Sequence, residues 1–270
     1  MSAYIRPSRP LPSGPTHADT HADTHADTDA DAGSGSGSVL CFPHAGGCAS
    51  FFRSWQRLLP AARVHAVQYP GREDRFAEPA PESLSALARA VTEEILTGDE
   101  RYSLLFGHSM GAYVAFEVDR LLREAGVPTP TLVLSSAASP ALRPPVPYEK
   151  DADVLAYLER YEPLSAELRE DEELLGLLLE YVKDDLRLVS GYREHTGKRT
   201  GARLVSVVGE HDIPEIRSRA GRWRDHAEGE FVQVVKPGGH FYLRSDPPVG
   251  LIAAELACAG SLGSRSTWTS

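Results

Sequence analysis

The fold class predicted for this chain is α/β, a mostly parallel sheet covered by helices on both faces, and three observations predict it. Short apolar runs alternate with helix-periodic segments along most of the 270 residues, the pattern of repeated strand–helix–strand crossovers. Those runs are apolar almost throughout, as strands buried on both faces are. The residues able to do chemistry fall directly after the runs, at the carboxyl edge of the expected sheet, where ligands bind in such folds.

Composition sets the limits. A length of 270 residues with 41% hydrophobic residues suits one large domain with a sizeable core. A formal net charge of −10 argues against general affinity for nucleic acid or anionic membrane. Three cysteines, Cys41, Cys48 and Cys258, cannot all pair within one chain and lack metal-ligand spacing, so reduced thiols are expected. No apolar run is long enough to cross a bilayer, and the N-terminus lacks the basic-then-apolar layout of a signal peptide. The cytoplasm is the expected location.

Residues 1–38 differ from the rest. Pro7, Pro10, Pro12 and Pro15 interrupt regular structure, a Thr-His-Ala-Asp repeat starts at Thr16, and Gly-Ser alternation fills 33–38. With few large apolar side chains, the segment is expected to be a disordered, low-complexity tail. His17, His21 and His25 recur every four residues. They would align to bind a metal only on a helix, which neither flank supports, so no metal site is expected.

The folded domain is expected over 39–260, with a flexible C-terminus at 261–270. Strands are expected at 39–42, 64–69, 102–106, 131–136, 203–208 and 231–235. Helices are expected at 50–59, 82–97, 112–122, around 215–227 and at 247–259. The segment 143–198 is different: acidic, helical by pattern, with a dense apolar cluster at Leu174, Leu175, Leu177, Leu178, Leu179 and Val182. Placed after the strand at 131–136, it would lie over the sheet's carboxyl edge.

The pentapeptide Gly107-His108-Ser109-Met110-Gly111 sits between an expected strand and an expected helix. Strand, Gly-x-Ser-x-Gly, helix is the layout of a nucleophile elbow on an α/β-hydrolase sheet. A serine hydroxyl needs a base to take its proton, and the base needs an orienting acid. Gly209-Glu210-His211-Asp212 follows the strand at 203–208, and Gly238-Gly239-His240 follows the one at 231–235. In the chain order serine, acid, histidine, the candidates are Ser109 as nucleophile, Asp212 as orienting carboxylate and His240 as base. Glu210 is the rival acid. His65, His195 and His226 lie inside expected strands or helices, and His108 points away from the nucleophile by strand alternation. The oxyanion hole is expected from the backbone N–H of Met110 and one amide of the turn after the first strand: Ala45, with His44 and Gly46 as alternatives.

Four motifs in order, Phe42-Pro43-His44-Ala45-Gly46-Gly47, Gln68-Tyr69-Pro70-Gly71-Arg72-Glu73, the Ser109 pentapeptide and Gly238-Gly239-His240-Phe241, resemble the type II thioesterases of polyketide and nonribosomal peptide assembly lines. The resemblance spans about residues 39–257. It implies an α/β-hydrolase that cleaves acyl thioesters from the phosphopantetheine arm of acyl or peptidyl carrier proteins, clearing stalled or misprimed chains in antibiotic-type biosynthesis. It implies the same triad, Ser109, Asp212 and His240, and makes 143–198 a lid over the acyl chamber. No metal or organic cofactor is expected, since the substrate brings its own phosphopantetheine. The partner expected is a carrier protein, with neither nucleic acid nor membrane. Two other readings stand beside it: a serine esterase on small free esters, and a carrier-binding module without turnover. The leucine cluster has two readings, an acyl-pocket lining or a face packing the lid down, and the second is the commoner use of such a stripe. Arg72 and Arg75 are read as pairing with neighbours such as Glu73 and Asp74, or as contacting the carrier or its phosphate.

Overall fold

The structure, a computed structural model, describes residues 4–8, 37–140, 148–192 and 198–263. Among these residues seven strands form one sheet: β1 (Ile5–Pro7), β2 (Ser38–Phe42), β3 (Arg63–Val67), β4 (Leu104–His108), β5 (Thr131–Ser135), β6 (Arg203–Gly209) and β7 (Phe231–Lys236). Their spatial order is β1-β3-β2-β4-β5-β6-β7. Every neighbouring pair is parallel except β1 with β3. Phe42 aligns with Gly107, and His108 with Ser135, which aligns in turn with Val207. This register brings the loops after β2, β4, β5 and β6 to one edge.

Strand alternation explains the two cores. Leu40, Leu105, Leu132 and Leu204 point to one face, under α2 (Leu84–Thr97) and α3 (Met110–Glu124). Val39, Cys41, Phe106, Val133, Val205 and Val207 point to the other, against Trp55 of α1 (Trp55–Leu58) and Ile252 of α8 (Val249–Gly263). The helices start where the sequence allows. Ser83 caps α2 by accepting from the Ala86 amide at 3.1 Å, which delays the helix to residue 84. Between β5 and β6 lies the helical insert: α4 (Asp151–Glu159), α5 (Ala166–Glu170) and α6 (Glu172–Gly191). Beyond β6, α7 (Pro214–Ala220) carries Pro at its first turn, where the missing N–H costs nothing. This is an α/β-hydrolase fold. No helix is long and apolar enough to cross a membrane among the described residues.

Several expectations are corrected. The tail expected over 1–38 contains a strand: Ile5, Arg6 and Pro7 register antiparallel against Val67, Ala66 and His65. Two anchors order it. The Tyr4 and Ile5 amides donate to the Glu94 carboxylate at 2.7 and 2.9 Å, and the Arg75 guanidinium lies 3.9 Å from the Tyr4 ring centroid. Proline is tolerated there because β1 is an edge strand. The boundary at 39 moves to Ser38, the first residue of β2, and α8 runs to Gly263, past the expected boundary at 260. The helix expected over 50–59 splits into a 3-10 turn, Ala49–Phe52, and the single turn of α1. The one around 215–227 splits into α7 and a 3-10 stretch, Gly221–His226. His17, His21, His25 and His195 lie outside the described residues.

The leucine stretch packs the insert down. Leu179 and Val182 are buried, Leu175 and Leu178 pack against the same core, and Leu174 and Leu177 face outward. None of these residues lines the cavity described below.

Candidate active site

Ser109 joins β4 to α3 with φ 54° and ψ −114°, a left-handed conformation that costs a non-glycine residue of order 1–3 kcal/mol. The fold pins it there. Its amide donates to the Ser135 carbonyl at 2.8 Å, and its carbonyl accepts from the Ala112 amide at 3.1 Å. A Cβ on Gly107 would lie 2.2 Å from the Gly111 carbonyl oxygen, and one on Gly111 would lie 2.0 Å from that of Phe42. Only glycine lets β4, α3 and the end of β2 approach this closely. The result is a serine at the N-terminus of α3, near the positive end of that helix.

Asp212 and His240 stand on the loops after β6 and β7, which are stitched together. The Glu210 amide donates to the Lys236 carbonyl at 2.7 Å and the His211 amide to the Gly238 carbonyl at 2.8 Å. Asp212 Oδ1 accepts from its neighbour Ile213 N–H at 2.8 Å. His240 Nδ1 lies 3.0 and 3.2 Å from the two Asp212 oxygens, with both side chains buried. An ionised carboxylate only accepts, so Nδ1 carries the proton and Nε2 is left as an acceptor. Glu210, the rival acid, is exposed.

The end of β5 and the turn after it tie His240 to Ser109. Ser135 holds Ser109 through its carbonyl, while the Ser136 hydroxyl donates to the His240 carbonyl at 3.3 Å. Sequence reasoning did not single out Ser136. Its signal is conformational, φ 49° at a strand end, which no residue pattern announces.

Four other described histidines, His44, His65, His108 and His226, have surroundings of their own. His65 meets the Tyr102 hydroxyl at 3.1 Å, and His226 meets Ser139 Oγ and the Lys198 carbonyl. His108 is buried with Nδ1 3.0 Å from Ser135 Oγ, which contacts the Tyr242 hydroxyl at 2.9 Å. His44 and His108 pack edge to face, and the His108 and His240 ring centroids are 5.1 Å apart. Burial lowers the His44 pKa to about 3, helped by the nearby charges of His240, Arg244 and Arg72. The same burial drives His108 far below its ordinary value. Both stay neutral beside His240.

The turn after β2 offers fewer free amides than the sequence suggested. The Gly46 amide donates to Asp185 Oδ2 at 2.8 Å and the Gly47 amide to the His44 carbonyl at 2.8 Å. Gly46 is thereby removed as an alternative, leaving Ala45 and His44. Among the described residues no acceptor contacts the Ala45 or Met110 amide.

Arg72 is a correction. It pairs neither with Glu73 nor with Asp74, and it is too buried to meet a carrier. It forks onto Asp185 of α6, Nη1 to Oδ2 and Nη2 to Oδ1, both at 2.7 Å. Arg75 donates to Glu78 and to the Gln68 carbonyl instead.

A cavity of about 220 Å³ opens at Ser109 and Met110. Its walls include Tyr157, Tyr161 and Val189 from the insert and Ile213 and Ile216 from the β6–α7 segment. Among the described residues no cluster of three metal-ligating side chains occurs.

Comparison with known proteins shows the family. A family model described as "Thioesterase domain" matches residues 38–254. The chain is 38% identical over 208 residues to the "Probable cadicidin biosynthesis thioesterase" of Streptomyces griseus, covering 76% of this chain and 58% of that protein's length. It thus spans less than two thirds of that relative. Among solved structures, the type II thioesterase BorB from the borrelidin biosynthetic cluster superposes with a TM-score of 0.74 at 30% identity, covering 94% of this chain and 97% of the other. YbtT, a type II thioesterase from the yersiniabactin NRPS/PKS pathway, superposes with a TM-score of 0.75 at 27% identity, covering 95% and 99%.

Proposed function

This chain belongs to the thioesterase family, and from that premise we propose that it hydrolyses acyl thioesters carried on the phosphopantetheine arm of acyl or peptidyl carrier proteins. The work assigned to it is unloading stalled or misprimed chains in polyketide or nonribosomal peptide biosynthesis, in the cytoplasm with the carriers. The biosynthetic pathways of these relatives support that setting. One observation carries the chemistry: a buried histidine, oriented by a buried carboxylate at 3.0 Å, lies under Tyr161, which lines one cavity with the strained Ser109 elbow.

In the proposed mechanism His240 Nε2 takes the Ser109 proton as Oγ attacks the thioester carbonyl. Asp212 keeps Nδ1 protonated and stabilises the imidazolium that forms. The Met110 and Ala45 amides receive the oxyanion, Met110 reinforced by its place at the start of α3. The tetrahedral intermediate collapses, His240 returns the proton to the pantetheine sulfur, and the thiol leaves. Water, deprotonated by His240, attacks the acyl-enzyme, and the free acid departs with Ser109 restored. Each step uses side chains and amides of this chain, and the reaction as written calls for no cofactor or metal. Trapping tests it: a mechanism-based acyl probe should label the wild type at Ser109 by one acyl mass, and Ser109→Ala should remain unlabelled. Labelling elsewhere would sink the assignment.

A further inference from the structure

We propose that Asp185, in the middle of insert helix α6, is a positioning residue for the oxyanion hole, so that the insert and the hole form one mechanical unit. The inference rests on the hydrolytic reading of the site and adds a residue to it.

The contacts converge on the turn after β2. Asp185 Oδ2 accepts both from Arg72 Nη1 at 2.7 Å and from the Gly46 amide at 2.8 Å. Arg72 Nη1 also donates to the Gly47 carbonyl at 3.2 Å, and Arg72 Nε to the Pro70 carbonyl at 3.3 Å. One helical turn before Asp185, Val182 presses on the same spot. A Cβ on Gly46 would lie 2.7 Å from Val182 Cγ2, and Gly46 has φ +78°. The helix therefore touches the turn twice, once by packing and once by charge.

Peptide planarity turns these contacts into direction. The His44–Ala45 plane is fixed by the His44 carbonyl, which accepts from the Gly47 amide. The Ala45–Gly46 plane is fixed by Asp185 through the Gly46 amide. The Gly47–Cys48 plane is fixed by Arg72 through the Gly47 carbonyl. The Ala45 amide lies trans to the His44 carbonyl in its own plane, so it points away from the Gly47 amide that this carbonyl accepts. A two-glycine turn without these ties would sample many orientations, and a donor is effective only when it is fixed before charge develops.

Burial makes stability a poor explanation of the pair. Arg72 is 4% and Asp185 2% exposed, and a well-packed apolar pair at such a site is often equally stable or more so. What the apolar pair lacks is an acceptor for the Gly46 amide. The Arg72 fork holds the carboxylate in a fixed orientation.

The test separates positioning from folding. Asp185→Asn and the apolar double variant Asp185→Leu with Arg72→Met are compared with wild type on acylated carrier protein and on a p-nitrophenyl ester. Affinity for an alkyl trifluoromethyl ketone is measured alongside. That probe forms a hemiketal: Ser109 Oγ bonds to its carbonyl carbon, His240 takes the serine proton, and the ketone oxygen becomes an oxyanion in the hole. Both variants should lower kcat by about 10- to 100-fold with KM within about 3-fold, and ketone affinity should fall by the same factor as kcat/KM. The double variant should unfold at or above the wild-type temperature, which a merely structural pair would not allow together with the kinetic loss. Unchanged kcat and ketone affinity in the double variant, or a loss confined to KM, would overturn the inference. If wild type cleaves the ester but not the acylated carrier, the carrier reading fails while the ester and ketone still test Asp185. A wild type that binds no trifluoromethyl ketone has no oxyanion hole to position, and the inference falls outright.

Discussion

The Tyr161 ring lies over the His240 imidazole, with centroids 4.1 Å apart and planes tilted by 39°. Tyr161 follows α4, so the insert reaches His240 itself and also walls the cavity at Ser109. Tyr161→Ala should widen the cavity at its catalytic end. The ratio of kcat/KM for octanoyl over propionyl carrier should rise at least about 3-fold, since each methylene buried is worth about 0.8 kcal/mol. Competition between the two acyl carriers in one reaction, read by intact-protein mass, checks it. An unchanged ratio would remove Tyr161 as a determinant of chain length.

Asp212, not Glu210, is the partner of His240. Asp212→Asn should cost about 10³- to 10⁴-fold in kcat, because an amide cannot hold Nδ1 protonated. Glu210→Gln, at an exposed side chain, should leave kcat within about 2-fold. Steady-state rates on a p-nitrophenyl ester distinguish them, and a large loss in Glu210→Gln would reverse the assignment.

Stability should fall with acid through two neutral histidines. Burial lowers the folded pKa of His44 to about 3 and that of His108 well below its ordinary value, whereas an unfolded histidine titrates near ~6.5. As pH drops below about 6.5, the unfolded chain gains protons at these sites and the native chain does not. The stability they contribute is therefore complete above that pH and is lost progressively toward about pH 3. Denaturant midpoints measured from pH 7.5 to 5 should decline, and His44→Phe should flatten the slope. A steeper slope in that variant would contradict the sign.

Much of the site was legible in the sequence because its parts are local. Ser109 is announced by the glycines beside it, and those glycines are required by close approaches at 2.2 and 2.0 Å. Asp212 and His240 each follow an apolar run, and the runs become neighbouring strands, so their 3.0 Å contact follows from topology. What escaped is long-range or conformational. Arg72 and Asp185 are 113 residues apart, and nothing in either neighbourhood names the other. The edge strand at Ile5–Pro7 has a proline-containing sequence that reads as a tail, and its order comes from Glu94 and Val67, far along the chain. The 50–59 segment has helical periodicity, yet its aromatic residues divide it: Phe52 and Trp55 pack edge to face at 4.9 Å, Trp55 meets Phe106 at the same distance, and packing set the backbone there instead of propensity.

The central claim is tested most directly by deacylation of a carrier protein. Acetyl-, propionyl- and octanoyl-phosphopantetheinyl carrier would be incubated with wild type and with Ser109→Ala, and the loss of each acyl mass followed by intact-protein mass spectrometry. Release by the wild type, with the variant at the spontaneous rate, is the predicted result. Acyl groups retained on the carrier by a wild type that still cleaves a p-nitrophenyl ester through Ser109 would contradict it and make the protein an esterase.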